Sequence, residues 1–299
     1  CIRDRICGMG QDFYEQAETA KEIFDKASEI LGFSMPELCF EKNDRLDITE
    51  YTQPAMVTAS IAMMKVFMER TGITPSVAAG LSLGEYPAMA AAGVMSAEDA
   101  IRTVRQRGIL MQEAVPAGVG AMSAVLAMDG EKIEEVIAPI DGVQIANYNC
   151  PGQIVISGKK EAVDEAAVKL KEAGAKRVLP LNVSGPFHSS LLEEAGEKLG
   201  EVLAQVEVHT PVIPYIANVT AGYVTDAGDV KPLLIKQVSS SVRWEQSIRR
   251  MLEDGVDTFI EIGPGRTLTG FMKKIDRNAK AMNIEKLEDI EKVKEALGC

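Results

Sequence analysis

Residues 78–86 read Ala78-Ala79-Gly80-Leu81-Ser82-Leu83-Gly84-Glu85-Tyr86, and this stretch decides the fold. Ahead of it, residues 76–79 are small and partly β-branched, which suits a buried parallel strand. Behind it, residues 85–92 are rich in helix formers and run up to Gly93, a stop signal. Between strand and helix lies G-x-S-x-G, the pattern of a nucleophile elbow. A serine forced into so sharp a turn is expected to need glycine two residues to either side, because strand and helix backbones nearly touch there. The turn exposes Ser82 Oγ at a helix N-terminus, where the N–H of Leu83 is free to bind an oxyanion. The plain alternative is an ordinary serine in a tight strand-to-helix turn.

With 299 residues, 46% of them hydrophobic, the chain can bury a substantial core. No apolar run approaches the roughly 18 residues of a membrane span, and the start of the sequence carries no signal-peptide core. Its five cysteines, odd in number and scattered without a C-x-x-C, argue against a disulfide framework and against a zinc site. A net charge of −12 disfavours nucleic acid as a partner. The expectation is a cytoplasmic protein with no membrane or nucleic-acid partner, no metal and no cofactor.

Around the elbow, residues 11–31 have helical apolar spacing, and 49–70 read as a second long helix with Pro54 in its first turn. Ser96 opens a helix to about 112 through a capping box. A different pattern follows: strand 120–128, helix 131–138, strands 143–148 and 154–157, helix 160–173, strand 177–181. That β-α-β-β-α-β order matches the ferredoxin-like split motif, and turn-rich segments at 116–118 and 184–186 flank it. The sequence therefore predicts an α/β protein with a small lobe, 116–185, inserted into a larger α/β subdomain formed by 1–115 and 186–299. Helices are expected at 191–203, 244–252, 267–274 and 287–297, and strands at 212–217 and 258–262.

A serine hydroxyl needs a base, and the chain holds only two histidines. His209 lies on a strand approach and is expected to pack or meet solvent. His188 lies in Gly185-Pro186-Phe187-His188-Ser189, a loop running into a helix, where the helix dipole favours a neutral, proton-accepting ring. His188 is the expected base. None of the acids between serine and histidine (Asp129, Asp141, Asp164) is convincing as its orienting partner, so a backbone carbonyl is the substitute. On the helix after the elbow, Ile101, Val104, Gly108 and Met111 form the apolar face. At about 100° per residue, Arg107 lies about 70° from its centre, Arg105 about 90° and Arg102 about 150°. Arg107 is read either as a flanking surface arginine or, pointed at Ser82, as a planar fork for a substrate carboxylate.

Five segments in order carry a resemblance: Gly80 to Tyr86; Gln106-Arg107-Gly108 with 111–116; Asn147-x-Asn149-Cys150-Pro151-Gly152-Gln153; Gly185 to Ser189; and Glu261-Ile262-Gly263-Pro264-Gly265. Together they resemble the malonyl-CoA:acyl carrier protein transacylases, acyltransferases of bacterial fatty-acid synthesis. The resemblance covers about residues 8–287. It implies an α/β-hydrolase-like core with the ferredoxin-like insert, Ser82 as acylated nucleophile, His188 as base and Arg107 as clamp on the malonyl carboxylate. It also implies that a main-chain carbonyl from the segment Ile235-Lys236-Gln237 orients the histidine, and that the Phe187 ring disfavours an α-methyl group. The implied partners are malonyl-CoA and acyl carrier protein, met by a monomer. Acyl carrier proteins are acidic, so a local basic patch is needed; Lys176-Arg177, Arg249-Arg250 and Lys273-Lys274 are candidates.

The sequence departs from the pattern in two places. Leu81 stands where the family often has histidine. Residues 1–7, Cys1-Ile2-Arg3-Asp4-Arg5-Ile6-Cys7, stand where members have a strand and a loop whose glutamine N–H completes the oxyanion hole, so a chain truncated or altered there is expected. Gln11 falls after that loop and does not take the role. The alternative functions are a serine esterase or thioesterase, and a weakly active carrier-protein-binding module lacking that oxyanion loop.

Overall fold

The helix Thr49–Thr71 is apolar on nearly every side and is buried accordingly, with Ala55, Val57, Ala59, Ile61, Ala62, Met63 and Val66 all inside. It packs along the helix Ala97–Glu113 in the computed structural model, which describes residues 7–116, 118–183 and 185–298. Where the two helices cross there is no room for a side chain: a Cβ on Gly108 would come 2.8 Å from Glu50 Cα. Pro54 proves to lie inside the first of these helices, one turn later than its sequence suggested. As expected, Ser96 caps the second, its hydroxyl accepting from the Asp99 N–H at 3.0 Å.

Nine strands form three sheets among the described residues. In chain order they are β1 (Ala78–Ala79), β2 (Gly120–Leu126), β3 (Val143–Cys150), β4 (Gln153–Lys159), β5 (Arg177–Pro180), β6 (Tyr215–Ile216), β7 (Tyr223–Val224), β8 (Thr258–Ile262) and β9 (Lys280–Ile284). The fold is mixed α/β. β1 pairs parallel with β6, which pairs antiparallel with β7, while β8 pairs parallel with β9. The central run β2-helix-β3-β4-helix-β5 makes an antiparallel sheet in the order β3-β4-β2-β5. It has its own core of Val125, Ile133, Ile145, Ile156, Val163 and Leu170. This sheet reaches toward the rest of the molecule through Asn147 and Tyr148, which bridge to Val242; the Tyr148 N–H donates to the Val242 carbonyl at 2.9 Å.

Several elements differ from expectation. The helix anticipated over 11–31 breaks at Ala17, whose extended backbone (φ −140°) separates Gln11–Gln16 from Glu18–Leu31. The strand anticipated over 212–217 shrinks to the two residues of β6. Helices Met35–Phe40 and Ala227–Gln237 and strands β7 and β9 were not foreseen. Gly228 and Pro232 mask the second of these helices in the sequence, yet Val230, Leu234 and Gln237 place one face inward, and the Asp226 side chain accepts from the Gly228 N–H. The irregular stretch Cys1-Ile2-Arg3-Asp4-Arg5-Ile6 lies outside the described residues, as do Ala117, Ser184 and Cys299. Cys7, Cys39 and Cys150 are free thiols.

Candidate active site

β1 leads into a single 3-10 turn, Ser82–Gly84, and then the helix Glu85–Ala91. Ser82 has φ 53°, a left-handed conformation that costs a non-glycine residue roughly 1–2 kcal/mol. The steric argument for the glycines holds at one position only. A Cβ on Gly80 would sit 1.9 Å from the Gly84 carbonyl oxygen, whereas a Cβ on Gly84 would meet nothing within 4 Å. Asn218, just after β6, clamps the strained turn from 136 residues away: its Oδ1 accepts from the Ser82 N–H at 2.5 Å, and its Nδ2 donates to the Gly80 carbonyl at 2.6 Å. The Leu83 N–H takes no acceptor among the described residues.

His188 is buried and also left-handed, with φ 56°. Its Nε2 lies 2.7 Å from Ser82 Oγ, and its Nδ1 lies 2.7 Å from the main-chain oxygen of Gln237. A carbonyl oxygen only accepts, so Nδ1 carries the proton and Nε2 is left as the acceptor for the serine hydroxyl. Gln237 is the last residue of its helix, where carbonyls have no partner within the helix and the dipole is negative. No acid was convincing from the sequence because the orienting group is this helix end. The His188 loop is braced from the antiparallel sheet: Gln144 of β3 donates to the His188 carbonyl at 3.1 Å and accepts from the Ser190 N–H at 3.0 Å. Phe187 packs, half-buried, beside Met122, Ala146 and Val155. Burial first, and then the charge of Arg107, push the imidazole down to about 3, so it is neutral throughout the physiological range.

Of the three arginines on the helix Ala97–Glu113, only Arg107 points inward. It is 2% exposed, and one guanidinium nitrogen lies 3.4 Å from Ser82 Oγ. It donates to Gln53 Oε1 at 2.7 Å and to Gln237 Oε1 at 3.1 Å, while its Nε has no acceptor. No carboxylate pairs with it among the described residues. Arg105 instead pairs with Glu50 at 2.6 Å and lies over the Tyr51 ring, and Arg102 pairs with Asp99 in solvent. The side-chain amide of Gln237 completes the cluster, donating to the Ser82 carbonyl at 2.9 Å and to Glu85 Oε2 at 2.8 Å.

The other candidate residues lie elsewhere. His209 is exposed, 58% by side chain, and takes no part. Arg249 pairs with Glu245 on its own helix and Arg250 with Asp254 just past that helix's end; Lys176, Arg177, Lys273 and Lys274 are exposed. Asn218, Glu85, Gln53 and Gln144 were missed in the sequence. Among the described residues no helix is long and apolar enough to cross a membrane, and no three His, Cys, Asp or Glu side chains gather as metal ligands. An apolar groove of about 460 Å³ between Val77–Leu81 and Thr258–Gly263 runs behind the elbow and holds none of Ser82, Arg107 or His188.

Residues 6–292 match the acyl transferase domain family. The malonyl CoA-acyl carrier protein transacylase of Bacillus subtilis (strain 168) is 49% identical over 292 residues, covering 96% of this chain and 92% of that one. Among solved structures, an acyl carrier protein S-malonyltransferase from Vibrio cholerae superposes with a TM-score of 0.95 at 41% identity, over 97% of this chain and 96% of that one. A malonyl-transacylase solved in complex with its type II PKS acyl-carrier protein superposes with a TM-score of 0.95 at 38% identity, over 98% and 96% of the two chains.

Proposed function

This chain belongs to the acyl transferase domain family, and from that premise we propose that it moves a malonyl group from malonyl-CoA to the pantetheine thiol of acyl carrier protein through a malonyl-Ser82 ester. It is an acyltransferase of fatty-acid synthesis. The observation that carries the assignment of residues is the shared hydroxyl: Ser82 Oγ lies 2.7 Å from the accepting nitrogen of His188 and 3.4 Å from a buried guanidinium that no carboxylate contacts among the described residues.

In the forward half-reaction, His188 Nε2 takes the Ser82 proton as Oγ attacks the thioester carbonyl. The Leu83 N–H donates to the oxygen that becomes negative. The C–S bond breaks, coenzyme A leaves as the thiol with the proton from His188, and the acyl group stays on serine. The carrier thiol then gives its proton to His188, attacks the ester, and Ser82 recovers the proton as it leaves. Arg107 holds the malonyl carboxylate with its planar fork, and the Gln237 carbonyl stabilises the imidazolium that forms in each half. Phe187 narrows the pocket beside the α-carbon. All these groups come from one chain, so a monomer suffices. The cytoplasmic location read from the sequence belongs to the same proposal.

The proposal includes an architecture: an α/β-hydrolase-like core, residues 1–115 and 186–299, carrying a ferredoxin-like subdomain, 116–185. The sheet order β3-β4-β2-β5 and a separate core around Ile133 and Ile156 support it. An esterase is disfavoured because it has no use for a buried arginine that no carboxylate contacts among the described residues, and a pure binding module because it has no use for two strained residues in hydrogen-bond contact. The test is intact mass after mixing with malonyl-CoA. One malonyl group should appear on the protein and none on Ser82→Ala; an adduct of equal yield on the alanine variant removes Ser82 from the mechanism.

A further inference from the structure

Glu85 is the first residue of the helix after the elbow and is 1% exposed, yet the transfer chemistry gives it nothing to do. Two donors converge on its Oε2: the Gln237 amide at 2.8 Å and the Asn218 N–H at 3.3 Å. These are the two residues that hold the site together. Asn218 shapes the turn that carries Ser82, and Gln237 touches His188, Arg107 and Ser82 at once.

A glutamine amide can sit either way round. Turned over, the Gln237 NH₂ would face the Arg107 donors, and its oxygen would face the Ser82 carbonyl and Glu85, acceptor against acceptor. The carboxylate therefore selects the orientation in which Gln237 Oε1 receives Arg107. It is also a buried negative charge near a buried positive one, with a single amide between them.

We propose that Glu85 is a positioning residue for carboxylate-bearing acyl groups: it orients Gln237 toward Arg107 in the empty site, and it takes up a proton when a substrate carboxylate reaches the guanidinium. The proton comes from solvent and converts the carboxylate to the neutral acid, so the cluster around Arg107 holds one negative charge before and after binding. This rests on the malonyl reading of the site. Supporting it, burial raises Glu85 to about 7, while the bonds from Gln237 and Asn218 and the charge of Arg107 pull it down. A carboxylate seated on Arg107 cancels that last pull, so the Glu85 proton is held more tightly. The other titratable groups facing this cluster do not exchange protons near neutrality. Tyr86 is raised to about 12, Tyr215 higher still, and His188 is down at about 3.

The test is calorimetry of malonyl-CoA binding to Ser82→Ala, which cannot turn over, in buffers of differing ionisation enthalpy at pH 8. Malonyl-CoA should take up about half a proton or more. Acetyl-CoA should take up none, and neither ligand should on Ser82→Ala/Glu85→Gln, where glutamine keeps the shape and one acceptor. In the active protein, malonyl kcat/KM should fall roughly tenfold across the ionisation of Glu85, and Glu85→Gln should abolish that fall while acetyl transfer stays flat in both. Malonyl binding without proton uptake, or a Glu85→Gln variant with the wild-type pH profile, overturns the proposal. Equal affinity for malonyl-CoA and acetyl-CoA would instead overturn the malonyl reading beneath it.

Discussion

Replacing Arg107 with alanine separates a malonyl transferase from a general serine esterase. The guanidinium is 2% exposed and held by Gln53 at 2.7 Å and Gln237 at 3.1 Å, with its Nε free. A malonyl carboxylate entering this pocket loses its hydration, and only a paired, hydrogen-bonding cation offsets that loss. Removing one partner of a desolvated charge pair costs roughly 2–4 kcal/mol, so malonyl kcat/KM should drop about 30- to 900-fold in Arg107→Ala. Acetyl-CoA brings no charge to the site. For it the substitution has a different consequence, because the charge of Arg107 is, after burial, the largest cause that holds His188 down. Without that charge the imidazole becomes a stronger base, and acetyl transfer should be unchanged or rise. Arg107→Lys should rescue malonyl transfer only in part, since an ammonium lacks the fork that reaches Gln53 and Gln237 together. Single-turnover acylation by both thioesters, on wild type and both variants, reads the result. Equal losses on malonyl and acetyl substrates would make Arg107 a structural residue and refute the reasoning.

His188→Ala should slow acylation by about 10²–10⁴ near neutral pH, whereas His209→Ala, on an exposed side chain, should leave the rate unchanged; stopped-flow acylation distinguishes them. Gly80→Ala drives a Cβ into the Gly84 carbonyl and should cost about 3 kcal/mol in denaturant unfolding. Gly84→Ala, with φ −62° and open space, should stay within about 0.5 kcal/mol. His188 is depressed from 6.5 to about 3, so between those values the unfolded chain binds a proton that the folded one refuses. Its contribution to stability is complete above pH 6.5 and is lost as pH falls toward 3, so His188→Gln should flatten the acid side of the stability profile.

The residues whose chemistry is local were legible in the sequence. The elbow could be read because strand, turn and helix are consecutive, and His188 because it had a single rival. The β-α-β-β-α-β run was legible because each element carries its own period, and the turn of Arg107 toward the apolar face of its helix because helical geometry sets its angle. What the sequence left open is where each of these residues finds its partner. Whether Arg107 faced solvent or Ser82 was decided by Gln53 and Gln237, 54 and 130 residues away in the chain. Helix Ala227–Gln237, weakened in the sequence by Gly228 and Pro232, forms because its inner face is buried, and only then does its last carbonyl reach His188. Glu85 and Asn218 carry no periodic signal at all. Their role comes from hydrogen bonds spanning 133 to 152 residues, which no local pattern encodes and which exist only once packing has excluded water from the site.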